Sequence, residues 1–239
     1  NINNIPLHPG LQQTYDVLQA VLNDLHSITP DAFTHLGGDE VVYSCWKQDP
    51  RVVAWKESQG LSSWDDVYCA FIDAADKMVT SAGRNVVHWE ETFLTGCKVN
   101  PESSIIQVWI DQETIANVTS AGYRTIASPQ AYWYLDHLSS TWDVMYNYEP
   151  TAGLTDAQQA NLIGGEACSW GETQDSSNVH SRIWPRASAV AERLWSPKEV
   201  NDVNAAKTRL AEHHCRMKAR GIASTPIGPG FCPTDDQQI

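Results

Sequence analysis

Two adjacent carboxylates, Asp39 and Glu40, follow a double glycine in the segment THLGGDEVVYSCW. A pair of carboxyl groups can supply a general acid and a charge that stabilises a cationic intermediate. Neighbouring residues of a regular strand point to opposite faces, so a shared site requires the backbone distortion that glycine permits. Gly-Gly-Asp-Glu is equally suitable for a solvated turn. The pair alone leaves a catalytic strand end and a surface turn as alternatives.

Carboxylate and aromatic side chains recur at the ends of the other apolar segments. They are Trp89, Glu90, Glu91, Trp109, Asp111, Tyr134, Asp136, Trp170 and Glu172. A (β/α)8 barrel gathers such residues at the carboxyl ends of its strands. An open doubly wound sheet would concentrate function at one crevice and would carry a phosphate-binding loop, which the sequence lacks.

The apolar pattern predicts the elements that position these side chains. Helical periodicity predicts helices at 11–28, 64–82, 112–121, 180–195 and 202–220. Short apolar runs predict strands at 32–36, 85–91, 104–111, 123–128 and 161–167. Alternating strands and helices with nearly continuous apolar strands are typical of a parallel α/β sheet covered by helices.

Five predicted strands are three fewer than a (β/α)8 TIM barrel contains. A five-stranded piece would leave two unpaired edges of buried strand, which favours aggregation. The helix at 11–28 should also follow a strand if it is a crossover helix. We therefore expect residues 1–239 to be the C-terminal portion of one catalytic barrel, supplying about its last five strands and closing helices. The first strands and any N-terminal domain are expected on a separate or missing piece.

Composition argues against several classes of function. The net charge of −13 and the pI near 4.9 disfavour a nucleic-acid partner, which requires clustered Lys and Arg. No run of 18 apolar residues occurs, so we expect no membrane span. No metal site and no cofactor is predicted. Six cysteines and a glycosylation sequon at Asn117 indicate a secreted, vacuolar or lysosomal protein.

The cysteines are expected to form disulfides rather than a zinc site, because none is part of a CxxC pair. Cys215 and Cys232 bracket a Gly/Pro-rich tail and are predicted to pair with each other. Cys69 and Cys97 are predicted to pair locally. Cys45 follows the first strand closely, and its expected partner is in the missing upstream piece.

Six segments occur in the order HLGGDEV, VVHWEE, IIQVWID, YWYLD, GGEACSWGE and WPRASAVAERLW. Together they resemble the β-N-acetylhexosaminidases of glycoside hydrolase family 20, of the eukaryotic lysosomal and fungal type. The resemblance covers essentially the whole chain. It implies a (β/α)8 barrel that removes terminal GlcNAc or GalNAc from glycans with retention of configuration.

The resemblance also implies catalytic roles. Glu40 would protonate the glycosidic oxygen and later activate water. The nucleophile would be the acetamido oxygen of the substrate, and Asp39 would orient it and stabilise the oxazolinium charge. Tyr134 would hydrogen-bond the acetamido carbonyl. Such substrate-assisted hydrolysis needs no covalent enzyme intermediate.

Substrate-binding residues follow from the same resemblance. Trp89, Trp109 and Trp170 would surround the acetamido methyl and the sugar ring, where aromatic faces pack on C–H groups and exclude water. Asp136 and Glu172 would accept hydrogen bonds from the 4- and 6-hydroxyls. This arrangement would select the non-reducing end of the glycan.

Two comparisons with the family pattern qualify these roles. The family uses an arginine of the first barrel strand and an upstream Asp–His pair, neither of which can lie in this chain. In the subtype that accepts acidic substrates, the positions matching Asp136 and His137 resemble Asn and Arg. Asp136 therefore predicts a preference for neutral over sulfated or sialylated sugars.

Two alternative functions remain open. A catalytically inactive relative could serve as a sugar-binding or recognition protein, although the presence of Asp39, Glu40 and Tyr134 argues against it. A different retaining glycosidase could use two carboxylates as acid and nucleophile. The expected partners are terminal β-linked N-acetylhexosamine glycans, a second polypeptide carrying the N-terminal part of the barrel, and a second copy in a dimer.

Three other side chains are interpreted as structural. His35 is expected to be a hydrogen-bonded core histidine and Trp195 to pack between helices. His214 is expected to lie on a solvated surface.

Overall fold

A computed structural model describes residues 5–230 and Cys232. The described residues contain five strands: β1 Phe33–Gly37, β2 Asn85–Trp89, β3 Ser104–Val108, β4 Arg124–Ala127 and β5 Leu162–Gly165. They form one sheet in the order β1-β2-β3-β4-β5, and β2 pairs in parallel with both β1 and β3. The α/β class and the five predicted strands are confirmed, with strand ends that differ by at most three residues.

Twelve helices occur in the described residues. They are α1 Gln12–Ile28, α2 Ser44–Gln48, α3 Pro50–Ser58, α4 Trp64–Ser81, α5 Glu91–Leu94, α6 Gln112–Ser120, α7 Gln130–Trp133, α8 Trp142–Asn147, α9 Asp156–Asn161, α10 Val179–Ile183, α11 Arg186–Trp195 and α12 Val203–Ala219. The predicted helices match α1, α4, α6 and α12. The shorter helices in the connections are not predicted, because a few turns show little periodicity.

The single helix predicted at 180–195 is wrong, since the segment forms α10 and α11. Pro185 separates them, and Trp184 before it has an extended backbone. Proline lacks an N–H group and disfavours the helical conformation in the residue that precedes it. A proline inside an amphipathic pattern therefore divides the helix.

Three structural interpretations also require correction. Trp195 is 91% exposed at the end of α11 rather than packed between helices. His214 is buried, and its Nδ1 lies 2.9 Å from the hydroxyl of Ser224. His35 is exposed rather than in the core, although its Nε2 lies 3.1 Å from Oε1 of Gln107.

The chain divides into two compact units. The first comprises the described part of Asn1–Gln107 together with Asn117–Thr125. Within it, Ser63 and Asp66 form a capping box that starts α4. The apolar face of α4 packs with α1 and β2 in a core that includes Leu22, Val79 and Val86.

The second unit comprises Val108–Ala116 and the described part of Ile126–Ile239. Its core brings together α8, α11 and α12 through Tyr146, Ala189, Ala206 and Leu210. Buried Arg193 of α11 donates hydrogen bonds to the backbone oxygens of two loops in this unit. None of the helices in the described chain combines the length and apolar character needed to cross a membrane.

The described residues contain two disulfides, and both predicted pairs are confirmed. Cys69 of α4 is joined to Cys97 in the segment that follows α5. Cys215 of α12 is joined to Cys232. Cys45 is an exposed free thiol, and its expected partner in another part of the protein remains a prediction.

Candidate active site

The backbone is distorted at the end of β1, where Asp39 and Glu40 follow. The pairing register with β2 shifts between His35 and Gly37. Gly37 and Gly38 have φ angles of 72° and 106°, and Glu40 has φ of 52°. These values lie in a region that residues other than glycine rarely adopt. Both carboxylates belong to exposed residues, and the predicted distortion beside the double glycine is confirmed.

Side chains from α4 and α5 contact this turn. The hydroxyl of Tyr68 donates a hydrogen bond of 2.6 Å to the carbonyl oxygen of Gly38 and lies 3.0 Å from Oγ1 of Thr92. The N–H of Glu40 donates to Oε1 of Glu91 at 3.4 Å. A Cβ atom at Gly38 would lie only 2.8 Å from the Tyr68 hydroxyl. Glycine is therefore required for this close approach.

Trp89 lies beside the same turn. It is the last residue of β2 and is buried, with its ring centroid 5.0 Å from that of His35. A Cβ atom at Gly37 would lie 3.5 Å from Oδ1 of Asp39 and 4.0 Å from Cδ1 of Trp89. The predicted residues Asp39 and Trp89 thus flank one glycine.

The second unit brings together two other predicted residues around Tyr134. The ring of Trp109 stacks on Tyr134 with centroids 6.2 Å apart, and that of Trp170 is tilted against it at 6.1 Å. The backbone of Tyr134 forms a parallel bridge with Cys168, just beyond β5. This pairing fixes the position from which the tyrosine side chain extends. Tyr134 is buried, whereas Trp170 remains partly exposed.

Asp136 contacts the backbone of this aromatic cluster. Its Oδ1 accepts a hydrogen bond of 3.4 Å from the N–H of Trp170, and its Oδ2 lies 3.8 Å from Nε2 of His137. The guanidinium of Arg186 donates to the carbonyl oxygens of His137 and Ser140 at 2.8 and 3.1 Å. Arg186, from the WPRAS segment, therefore ties the loop that carries Asp136 to the start of α11.

Two residues near Trp170 have different environments. Glu172, the remaining predicted sugar-binding residue, is exposed in a turn. Cys168 is a buried free thiol with Sγ 3.8 Å from Oε1 of Glu166. Burial raises the pKa of the Cys168 thiol to about 12. Because the thiolate is the nucleophilic form, this cysteine has a structural environment rather than a reactive one.

Some residues at the turn are not identified by the sequence. Tyr68 has the spacing of an ordinary buried residue of α4, and nothing local relates it to Gly38. The WEE segment indicates chemistry but does not distinguish its two glutamates. The structure distinguishes them, because Glu90 is fully buried whereas Glu91 accepts a hydrogen bond from the N–H of Glu40. In the part of the chain described, no group of three or more His, Cys, Asp or Glu is arranged to hold a metal ion.

Comparison with known sequences gives extensive matches. The family profile described as "Glycosyl hydrolase family 20, catalytic domain" matches residues 1–198. Beta-hexosaminidase 3 of Arabidopsis thaliana is 39% identical over 229 residues, covering 94% of this chain and 42% of that protein. The alpha subunit of beta-hexosaminidase from Rattus norvegicus is 39% identical over 236 residues, covering 95% of this chain and 44% of that protein. The chain spans less than half the length of these relatives.

A solved structure supports the fold. The GH20 exo beta-N-acetylglucosaminidase from Vibrio harveyi, determined in complex with N-acetylglucosamine, superposes with a TM-score of 0.86 and 24% identity. The match covers 93% of this chain and 37% of that one. At this identity the likeness concerns the fold alone. It agrees with the prediction that the five parallel strands are part of a (β/α)8 barrel.

Proposed function

The chain belongs to glycosyl hydrolase family 20, and on this basis we propose that the complete protein is an exo-β-N-acetylhexosaminidase. Its substrates are glycans that end in β-linked GlcNAc or GalNAc. The observation that carries the proposal is the distorted end of β1, which presents Asp39 and Glu40 as adjacent, exposed residues. The identity to beta-hexosaminidases supports it.

In the proposed reaction, Glu40 donates its proton to the glycosidic oxygen as the bond to the anomeric carbon breaks. The acetamido oxygen of the substrate attacks that carbon from the opposite face and forms a cyclic oxazolinium. Glu40, now a carboxylate, removes a proton from water as the water attacks the same carbon and the bond from that carbon to the acetamido oxygen breaks. Two inversions restore the original configuration, so the product retains it.

Asp39 and Tyr134 act on the acetamido group. The carboxylate of Asp39 accepts a hydrogen bond from the acetamido N–H, and its negative charge stabilises the oxazolinium. The hydroxyl of Tyr134 donates to the acetamido oxygen and holds it in line for attack. The stacking of Tyr134 on Trp109 supports this role, because it restricts the orientation of the phenol ring.

The remaining predicted residues bind the sugar. Trp89, Trp109 and Trp170 pack on the apolar faces of the terminal sugar and its acetamido methyl. Asp136 and Glu172 accept hydrogen bonds from the 4- and 6-hydroxyls. The contact between Asp136 and the Trp170 backbone supports a shared function for these two residues.

Substitution of Glu40 tests the proposal. Glu40→Gln should reduce kcat on an alkyl N-acetylglucosaminide by about 10²–10⁴-fold, the usual contribution of a general acid. On a nitrophenyl glycoside kcat should fall less, because the leaving group needs little protonation. Glu57→Gln is the matched control, since Glu57 is an exposed glutamate of α3 in the same unit. Equal losses on the two substrates would contradict the role of Glu40 as the acid.

The same assays separate the alternative functions. An inactive relative would bind the sugar but would not cleave a nitrophenyl N-acetylglucosaminide. A glycosidase with an enzymatic carboxylate nucleophile would hydrolyse the corresponding glucoside, which lacks the acetamido group, at a comparable rate. The proposed enzyme should require the acetamido group.

We also propose that this chain is the C-terminal portion of a single catalytic barrel. Apolar residues are exposed on α1, including Ile28 at 77%, and Trp195 is exposed in the second unit. Surfaces of this kind mark interfaces, and the relatives are more than twice as long as their match to this chain. Additional strand–helix units, on the same or a second polypeptide, would cover them. The chain alone should bind an apolar dye that the complete protein does not bind.

From the disulfides and the sequon we propose that the protein is secreted, vacuolar or lysosomal. Two disulfides persist only in an oxidising environment. Asn117 is exposed on α6, where a glycan can be accommodated. A loss of mass after treatment with peptide N-glycosidase tests the modification, and sedimentation of the complete enzyme tests the predicted dimer.

A further inference from the structure

We propose that Tyr68 and Glu91 are positioning residues that hold the Gly38–Glu40 turn in the conformation that directs Glu40 to the leaving oxygen. The inference rests on the proposed function for the role of Glu40. The contacts that carry it lie within the first unit. Neither residue is assigned contact with the substrate.

Tyr68 holds the start of the turn. It is buried, and its hydroxyl donates to the Gly38 carbonyl oxygen at 2.6 Å. The same hydroxyl lies 3.0 Å from Oγ1 of Thr92, which is fully buried. Burial raises the pKa of Tyr68 well above its usual range, so the phenol keeps the proton that it donates. The hydroxyl therefore links the turn after β1 to α5.

Glu91 holds the end of the turn. Its carboxylate accepts a hydrogen bond of 3.4 Å from the N–H of Glu40. Glu40 has φ of 52°, a conformation that glutamate adopts only when surrounding contacts hold it there. A hydrogen bond to the N–H of that residue acts directly on the strained peptide. Glu91 is thereby placed to maintain the direction in which the Glu40 side chain extends.

The two positioning residues are covalently connected. Tyr68 adjoins Cys69 on α4, and Glu91 begins the short helix α5 that precedes Cys97. The Cys69–Cys97 disulfide joins these elements. Both contacts to the turn therefore come from one cross-linked support. Such a support can fix a catalytic group within the narrow range that efficient proton transfer requires.

Matched substitutions in the complete enzyme test the inference. Tyr68→Phe should lower kcat on an alkyl N-acetylglucosaminide by about 10- to 100-fold, the usual consequence of misplacing a catalytic group. Loss on a nitrophenyl glycoside should be smaller, because protonation by Glu40 matters less there. The control is Tyr123→Phe, which removes a comparable hydrogen bond to the Val99 carbonyl at 3.0 Å in the same unit. The control should leave both rates nearly unchanged.

A conservative substitution separates the hydrogen bond of Glu91 from its charge. Glu91→Gln keeps an oxygen that can accept the Glu40 N–H, whereas Glu91→Ala removes it. The alanine variant should show the leaving-group-dependent loss, and the glutamine variant should recover most of the activity. Equal losses in the two variants would overturn the assigned role of the hydrogen bond. Equal losses on both substrates would indicate a general structural defect and would also overturn it.

Amide hydrogen exchange provides a test that does not depend on activity. Exchange in the Gly38–Glu40 segment should accelerate at least about tenfold in Tyr68→Phe and Glu91→Ala but not in Tyr123→Phe. Unchanged exchange in both test variants would refute the positioning role, whatever the enzyme hydrolyses. If the wild type hydrolyses no substrate but exchange accelerates in the variants, the proposed function would be refuted. The conclusion that Tyr68 and Glu91 hold the turn would stand.

Discussion

Gly38→Ala should destabilise the first unit far more than an ordinary Gly→Ala substitution. The added Cβ would lie 2.8 Å from the Tyr68 hydroxyl and 2.9 Å from Oγ1 of Thr92. Both neighbours are buried, and they contact each other at 3.0 Å, so neither can move away without breaking that contact. The backbone φ of 106° is also unfavourable for any residue with a Cβ.

The magnitude follows from these separate effects. The positive φ costs roughly 1–2 kcal/mol, and forcing a methyl group into a packed position costs about 1–3 kcal/mol. Reduced entropy of the unfolded chain returns about 0.4–1 kcal/mol. The free energy of unfolding should therefore fall by about 3 kcal/mol, within a range of about 1–5 kcal/mol.

Gly83→Ala is the matched control in the same unit. Gly83 also has positive φ, 75°, but an added Cβ would meet no atom within 4 Å. Its cost should be about 1 kcal/mol. Denaturant unfolding of both variants measures the difference, and Gly38→Ala should also lose activity through displacement of Tyr68. Equal destabilisation by the two substitutions would refute the steric argument.

Three other predictions concern the second unit. Asp136→Asn should increase kcat/KM for a 6-sulfated glycoside relative to the neutral one by roughly 5- to 1000-fold. Two like charges 4 Å apart repel by about 1 kcal/mol in water and by about 4 kcal/mol at a dielectric of 20, and the substitution removes one of them. An unchanged ratio would show that Asp136 does not lie beside the 6-position of the sugar. Cys168 should resist iodoacetamide until the protein is denatured, because its raised pKa keeps the buried thiol protonated; rapid native labelling, measured by peptide mass, would contradict this. Replacing Cys215 and Cys232 by serine should lower the free energy of unfolding by about 3 kcal/mol; an unchanged denaturation midpoint would show that the cross-link contributes little.

The long elements could be predicted from sequence because their signals are local. The periodicity of α1, α4 and α12 extends over several turns, and each strand is a distinct apolar run. The error at 180–195 arose where a periodic pattern continued through Pro185. In that segment the conformational restriction of proline overrides amphipathicity.

The candidate catalytic residues could be predicted only in part. The double glycine indicated distortion near Asp39, and the structure contains it. The contacts of Tyr68 and Glu91 could not be predicted, because they join residues 30 and 51 positions apart. Hydrogen bonds of this kind depend on how α4 and α5 pack, and the sequence carries no local signal for them.

The left-handed backbone at Glu40 has a consequence for how such a chain can diverge. A glutamate there costs roughly 1–2 kcal/mol relative to glycine, and asparagine tolerates the same conformation better. Selection for folding alone would therefore replace Glu40, and a variant with asparagine should be both more stable and catalytically impaired. A duplicated copy released from catalysis would gain stability by that single change. At this one position, selection for stability and selection for the proposed catalysis therefore oppose each other.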